Sequence, residues 1–324
     1  MIISYEGKSI RLPDFLIPGA ARSGTTALYE HLRKHPDVFM PDEKEPMFLS
    51  LWNMDKRMEW QVAEVVERCT IVDMDDYLNL FQDAGKDQKC GEASVWYLYD
   101  HDTVIRNIQK IYGERAAELK IVILLRNPVQ RAWSHYLLKC SRMKEPLSFE
   151  EAVQPNVIQQ RMKKDFSYSY DYIGFGMYSE QIPAWQDAFP NIRIWIHEEF
   201  FSNIPVFMGK LAEFLEIPMH PSLLISRRVN SSGVHRNRFA KFAAHLFMTP
   251  SFWKSGLKRL LPYQVRRRVK MGALSRLTRP EPLPETVRCT LTELYASEIN
   301  QLEALLGRSL DIWRDPACQQ VGTE

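Results

Sequence analysis

The sequence predicts an α/β fold in which a parallel sheet is flanked by helices, and three observations carry that reading. β-branched apolar runs of strand length alternate with stretches of helical periodicity. A glycine-bearing loop follows the first such run directly, and an Arg-Asn-Pro triplet follows another. A crossover has to return the chain before the next parallel strand, so this alternation implies a parallel sheet with helices on its faces.

Phe15 to Pro18 is the first short apolar segment, and it runs into GAARSGTT at Gly19 to Thr26. Beyond that loop Ala27, Leu28 and Leu32 fall at helical spacing. Lys120 to Leu125 (KIVILL) suits a strand buried on both faces. It ends at Arg126, with Asn127 and Pro128 placed as N-cap and first residue of the next helix. Ile192 to Ile196 (IRIWI) is a third buried-strand candidate, followed by a helix carrying Phe207, Leu211, Phe214 and Leu215. Val287, Leu291, Leu294, Ile299, Leu302, Leu305 and Leu306 mark one face of a single long helix, with Pro284 near its start and Gly307 after its end. No repeat, low-complexity tract or Gly/Ser linker interrupts the chain, so residues 1–324 are expected to form one domain.

A composition of 45% hydrophobic and 25% charged residues is that of a soluble globular protein and excludes a disordered or collagen-like chain. The net charge of +2 offers no general argument for nucleic acid binding. It hides an asymmetry: residues 217–280 contain no Asp or Glu but fourteen of the 42 Lys and Arg. This segment includes Arg227, Arg228, Arg236, Arg238 and the run Arg266-Arg267-Arg268. It is read as a cap over an anionic donor or acceptor, with a plain solvated basic face as the equal alternative. Leu257, Leu260 and Leu261 among the cations leave peripheral contact with an anionic membrane as a lesser one. No apolar run reaches the roughly 20 residues of a membrane helix, and the N-terminus lacks the pattern of a secretory signal. The five cysteines are odd in number and contain no Cys-x-x-Cys pair, which argues against a disulfide framework or zinc site and for a reducing cytoplasm.

The chemistry concentrates at two strand ends. Gly19, Gly24 and Thr26 match a nucleotide-phosphate loop, but Thr25 stands where that pattern carries lysine. Glycines let backbone N–H groups converge on an anion, and the following helix adds its positive end. The cation has moved back to Arg22, whose planar fork suits an oxyanion. The second element places Arg126 at a strand end and Ser134 on the next helix. Ligands of parallel sheets sit at the carboxyl ends of the strands, so both elements are expected on one edge. Two phosphate-sized sites there suit a nucleotide with separated phosphates better than a linear triphosphate. The bland readings are a strand-to-helix turn, an exposed serine and a surface ion pair of little worth.

These residues resemble the sulfotransferases that use 3′-phosphoadenosine 5′-phosphosulfate (PAPS), in their bacterial and glycosaminoglycan-type branch. The resemblance rests on FLIPGAARSGTTALYEHLRKHP, KEPMF, GEASVWYL, IVILLRNPVQRAWSHY, GMYSEQIPAW, VNSSG and LLGRSLDIW, and spans nearly the whole chain. It implies a P-loop-like fold forming a single sulfotransferase domain. It also implies that Arg22, Ser23, Gly24, Thr25 and Thr26 cradle the 5′-phosphosulfate while Arg126 and Ser134 hold the 3′-phosphate. Ser231, Ser232 and Gly233 resemble the late loop that closes over the donor; Val234 stands where an arginine is often found, with Arg236 as its substitute. Tyr178 is assigned either an aromatic face for adenine or a place in the core.

In this branch a segment like Lys44-Glu45-Pro46 carries the catalytic carboxylate, so Glu45 is the first choice of base and Glu92 the second. Arg22 is the expected stabiliser of the leaving phosphate, and no metal need be invoked. His31, His35 and His101 act as bases only if the fold brings them to the site. Met47 replaces the usual histidine and Ala93 a frequent lysine, so the acceptor hydroxyl or amine stays open among saccharides, lipid-linked molecules and natural products. The competing functions are a P-loop nucleoside or sugar kinase and a noncatalytic anion-binding scaffold. A kinase is expected to carry the loop lysine and a strand-end aspartate for Mg2+, where this chain has Thr25 and Arg126. Oligomeric state is not readable.

Overall fold

The computed structural model describes residues 1–5, 7–52, 71–165, 168–224, 234–235, 278–279, 281–315 and 318. An antiparallel hairpin of β1 (Ile2–Tyr5) and β2 (Lys8–Arg11) precedes the central sheet. That sheet is parallel and five-stranded. Its strands are β3 (Phe15–Gly19), β4 (Val38–Phe39), β5 (Lys89–Glu92), β6 (Lys120–Leu125) and β7 (Ile192–Ile196), in the spatial order β4-β5-β3-β6-β7. From β3 the chain crosses to the edge strand β4, returns inward to β5, and then passes over β3 to β6 and β7. The order therefore switches direction beside β3, where a crevice opens at the carboxyl ends.

Period-2 alternation divides the core between the two faces. Leu16, Ile121, Ile123 and Leu125 face one layer, which contains Ile108 of α2 (His101–Tyr112), Ala132 and Leu137 of α3 (Pro128–Ser141), and Ile182 and Trp185 of α5 (Tyr178–Ala188). Between these last two lies α4 (Pro155–Asp165). Phe15, Ile17, Val122 and Leu124 face the other layer, formed by Leu28 and Leu32 of α1 (Thr25–Leu32) and Met208, Leu211 and Leu215 of α6 (Ile204–Leu215). All five residues from Ile121 to Leu125 are buried, as the run predicts for an inner strand. Truncating one of them to alanine costs about 2–5 kcal/mol by removing packing from a filled layer. By contrast, β7 is an edge strand with Arg193 exposed, so the predicted burial on both faces holds only for Trp195 and Ile196.

The predicted long C-terminal helix is two, α7 (Glu285–Leu294) and α8 (Ala296–Leu306), broken at Tyr295. Tyr295 is fully buried and its hydroxyl donates to the Ile173 carbonyl at 2.8 Å, an anchor that apolar periodicity alone does not reveal. Pro284 and Gly307 bound the pair as predicted, the glycine in the left-handed region at φ 62°. The cysteine expectation is corrected at one pair: Cys289 and Cys318 form a disulfide. They are 29 residues apart, a separation that carries no motif, and tertiary packing brings them together. The argument for a reducing compartment loses that premise. Among the described residues no helix is long and apolar enough to cross a membrane.

Candidate active site

The loop after β3 and the start of α3 meet at the crevice beside β3. Gly24 caps α1 at φ 91°, a left-handed conformation that favours glycine. A Cβ there would lie 2.5 Å from the Phe201 ring and 3.2 Å from His197 Nδ1, so the space also demands glycine. The N–H groups of Ala27 and Leu28 are taken by the Gly24 carbonyl at 2.9 and 3.2 Å, which leaves those of Thr25 and Thr26 at the positive end of α1 without an acceptor inside the helix.

Arg22, itself at φ 68°, turns its guanidinium across to α3, where Nε donates to Ser134 Oγ at 3.1 Å. In return Arg126 Nη1 donates to the Arg22 carbonyl at 3.0 Å. The structure thus brings Arg22, Arg126 and Ser134 into one cluster. Burial, followed by the charges of Arg126, Arg142 and Arg131, lowers the Arg22 pKa to about 9. Burial likewise lowers Arg126, against the opposing pull of Glu198. Cations gathered this way are compensated by an anion. Two polar atoms point to the same conclusion: Arg126 Nε and the hydroxyl of fully buried Ser23 have no hydrogen-bond partner among the described residues. Leaving such groups unmet costs about 1–3 kcal/mol each, which a bound oxyanion offsets.

Arg126 is held from behind. Asn127 caps α3, its side chain accepting from the N–H groups of Val129 and Gln130. The Asn127 N–H donates to Glu198 Oε1 at 3.2 Å, and its amide nitrogen donates to the Trp313 carbonyl at 2.8 Å. Tyr178 requires a correction. It is fully buried, its hydroxyl donates to the Arg126 carbonyl at 3.0 Å and its ring packs on Trp313, so it presents no open face to adenine. It orients Arg126 instead.

His197 and Glu198 were not singled out by the sequence. His197 donates from Nδ1 to the Ser23 carbonyl at 2.8 Å and so steadies the loop after β3; burial lowers its pKa. Both residues follow β7 directly, and their place at a strand's carboxyl end was the signal available.

Glu45 lies beside the end of β5, its N–H donating to the Ala93 carbonyl at 3.1 Å. Its carboxylate pairs with Lys44 at 2.5 Å, with the Lys44 side chain 3% and the Glu45 side chain 12% exposed. Glu92 is 1% exposed and accepts from the hydroxyls of Tyr77 at 2.7 Å and Tyr97 at 3.2 Å. Burial raises its pKa to about 7, opposed by hydrogen bonds from Ser94, Tyr77 and Tyr97 and by the Lys44 charge. Of the two carboxylates, only Glu45 retains solvent access, which is what a base acting on an incoming acceptor needs.

The histidines are engaged elsewhere. His31 bonds the Ser222 carbonyl at 3.3 Å, His35 bonds the Pro218 carbonyl at 2.8 Å, and His101 lies 3.5 Å from Asp102. Ser231, Ser232, Gly233 and Arg236 lie outside the described residues, as does most of the acid-free segment. Its two described flanks, β8 (Val234–His235) and β9 (Thr278–Arg279), pair antiparallel, and β8 lies against α3. Among the described residues no group of three or more His, Cys, Asp or Glu is placed to hold a metal ion.

The loop after β3 and the start of α3 thus meet at the carboxyl ends of a parallel sheet, joined through Arg22, Arg126 and Ser134. The model of the sulfotransferase domain matches residues 12–240, and the chain belongs to that family. Over 135 residues, 41% of this chain and 24% of the relative, it is 30% identical to the membrane-associated sulfotransferase kil1 of Dictyostelium discoideum. It is 28% identical to carbohydrate sulfotransferase 15 of Mus musculus over 263 residues, 65% of this chain and 46% of that one. The chain spans half or less of the length of these curated relatives. A crystal structure of a sulfotransferase from Alicyclobacillus acidocaldarius shares the fold, with a TM-score of 0.67 at 24% identity over 94% of this chain and all of that one.

Proposed function

We propose that the protein transfers the sulfuryl group of PAPS to an acceptor hydroxyl. The observation that carries this reading is the mutual bond between the two cradles, Arg22 to Ser134 and Arg126 to the Arg22 carbonyl. A single adenylate phosphorylated at both ends fits such a pair. In this reading the loop of Ser23 to Thr26, with Arg22, receives the 5′-phosphosulfate, and Arg126 with Ser134 receives the 3′-phosphate. The unpartnered Ser23 hydroxyl and Arg126 Nε supply donors on each side.

The acceptor oxygen forms its bond to sulfur as the sulfur–oxygen bond to phosphate breaks. The electron pair stays on the phosphate oxygen, where Arg22 and the loop N–H groups offset the charge; each well-placed donor contributes on the order of 3 kcal/mol. The acceptor proton passes to Glu45, a role worth roughly a hundredfold or more. Lys44 fixes the position of that carboxylate.

Relatives named as carbohydrate and heparan sulfate sulfotransferases support a saccharide acceptor. The pairing of β8 with β9 against α3 supports a cap role for residues 217–280. The kinase reading is weakened by Thr25 in place of the loop lysine. The test is incubation with radiolabelled PAPS and a panel of saccharide, lipid-linked and natural-product hydroxyls, with the transferred group located by mass spectrometry. Label transfer to one class supports the reading; no transfer to any, with the donor bound, sinks it.

A further inference from the structure

The segment after α8 touches the cradle at several points through one residue. Trp313 is 2% exposed. Its indole N–H donates to Glu198 Oε2 at 2.9 Å, while the other oxygen of Glu198 accepts the Asn127 N–H at 3.2 Å. Its carbonyl accepts the Asn127 side-chain amide at 2.8 Å. Its ring backs Tyr178 at 6.1 Å between centroids, and Tyr178 in turn donates to the Arg126 carbonyl at 3.0 Å. The residue after Arg126 is thus gripped by backbone and side chain, and the Arg126 carbonyl by a phenol that Trp313 supports.

Trp313 lies on a segment without regular structure beyond a single turn at Asp311–Trp313. On its N-terminal side it is anchored by fully buried Leu310, whose N–H donates to Glu303 Oε1 at 2.6 Å, and on its C-terminal side by Arg314, bonded to Glu303 at 2.6 Å and Asn300 at 2.7 Å, by the ion pair of Asp315 with Arg288, and by the Cys289–Cys318 disulfide to α7. The ion pairs are part-exposed and individually weak. The disulfide is the covalent anchor, with Cys289 half-buried and Cys318 buried.

We propose that Trp313 is a positioning residue for the nucleotide 3′-phosphate. The Cys289–Cys318 link fastens the segment that carries it, so that affinity for a 3′-phosphorylated nucleotide depends on the redox state of that pair. This rests on the reading that Arg126 receives the 3′-phosphate. The switch balances as a thiol–disulfide exchange: a dithiol gives two electrons and two protons, becomes a disulfide itself, and leaves Cys289 and Cys318 as thiols.

The test is calorimetry with adenosine 3′,5′-bisphosphate and adenosine 5′-monophosphate, on the oxidised protein, the dithiol-reduced protein, and the Trp313→Phe, Cys318→Ser and Arg126→Ala variants. Trp313→Phe keeps an aromatic ring and loses the indole N–H. Reduction, Cys318→Ser and Trp313→Phe are each expected to weaken the bisphosphate by about tenfold, the scale of one hydrogen bond to a charged group. The monophosphate is expected to change by less than about twofold, reoxidation to restore the wild type, and dithiol to leave Cys318→Ser unchanged. An unaltered preference for the bisphosphate in Trp313→Phe and in the reduced protein, with the preference lost in Arg126→Ala, overturns this inference alone. Equal weakening of both nucleotides also overturns it, since that is general loosening. A preference that survives Arg126→Ala overturns the 3′-phosphate assignment as well.

Discussion

Arg22 Nε donates to Ser134 Oγ at 3.1 Å, across 112 residues of sequence, and so ties the loop after β3 to the helix after β6. In the proposed reaction Arg22 serves the leaving phosphate and Ser134 the distant 3′-phosphate. Arg22→Ala is therefore expected to lower the single-turnover rate by about 10²–10³, the cost of one preorganised oxyanion donor. Ser134→Ala leaves a cation at the reacting end and is expected to act mainly on nucleotide affinity. Rapid-quench transfer kinetics separate the two, and a Ser134→Ala defect confined to the chemical step would refute this division.

Arg126→Ala is expected to weaken adenosine 3′,5′-bisphosphate by at least about tenfold while leaving adenosine 5′-monophosphate nearly unchanged. Only the first carries the group assigned to Arg126. Competition binding at fixed salt checks it, and equal losses would remove the assignment.

Glu45→Gln removes the proposed base without a change of volume. Turnover is expected to fall about a hundredfold with bisphosphate affinity retained. Full activity in that variant would move the base elsewhere.

Glu92 carries a pH signature in stability. Its carboxyl pKa is raised by burial from 4.5 to about 7, so the unfolded chain gives up this proton at lower pH than the native one. Between those values the native state binds more protons, and stability falls as pH rises, by on the order of 3 kcal/mol in total. The contribution is fully present below about 4.5 and gone above about 7. Glu92→Gln is expected to flatten that slope and to stabilise the protein most at pH 8, as read from urea unfolding across the range. An unchanged slope would place the titration in other groups.

Gly24→Ala tests the loop itself. The new methyl meets the Phe201 ring at 2.5 Å and forces a side chain into φ 91°, at about 1–2 kcal/mol for the backbone alone. Circular dichroism is expected to show a folded protein that no longer binds the bisphosphate; intact binding would mean the loop is not the cradle.

Much of this arrangement was legible in the sequence because it is local. KIVILL carries strand burial in five consecutive apolar residues, Asn127-Pro128 writes a helix start, and Gly19 and Gly24 mark a strand-to-helix loop. Their position after predicted parallel strands placed Arg22, Arg126 and Ser134 on one edge, and the structure brings them together. What was not legible depends on contacts between distant segments. The break at Tyr295 follows from its bond to Ile173, the burial of Tyr178 from Trp313, and the cysteine pairing from packing of the last turn on α7. The edge position of β7 is set by sheet order, which apolar content does not encode.

The most direct measurement is calorimetric titration of the oxidised protein with adenosine 3′,5′-bisphosphate at low salt. One nucleotide per chain is expected, with affinity weakened by at least about tenfold on removal of Arg126 and weakened also on removal of Arg22. Absence of binding, or binding indifferent to both substitutions, would contradict a single nucleotide held between the two arginines.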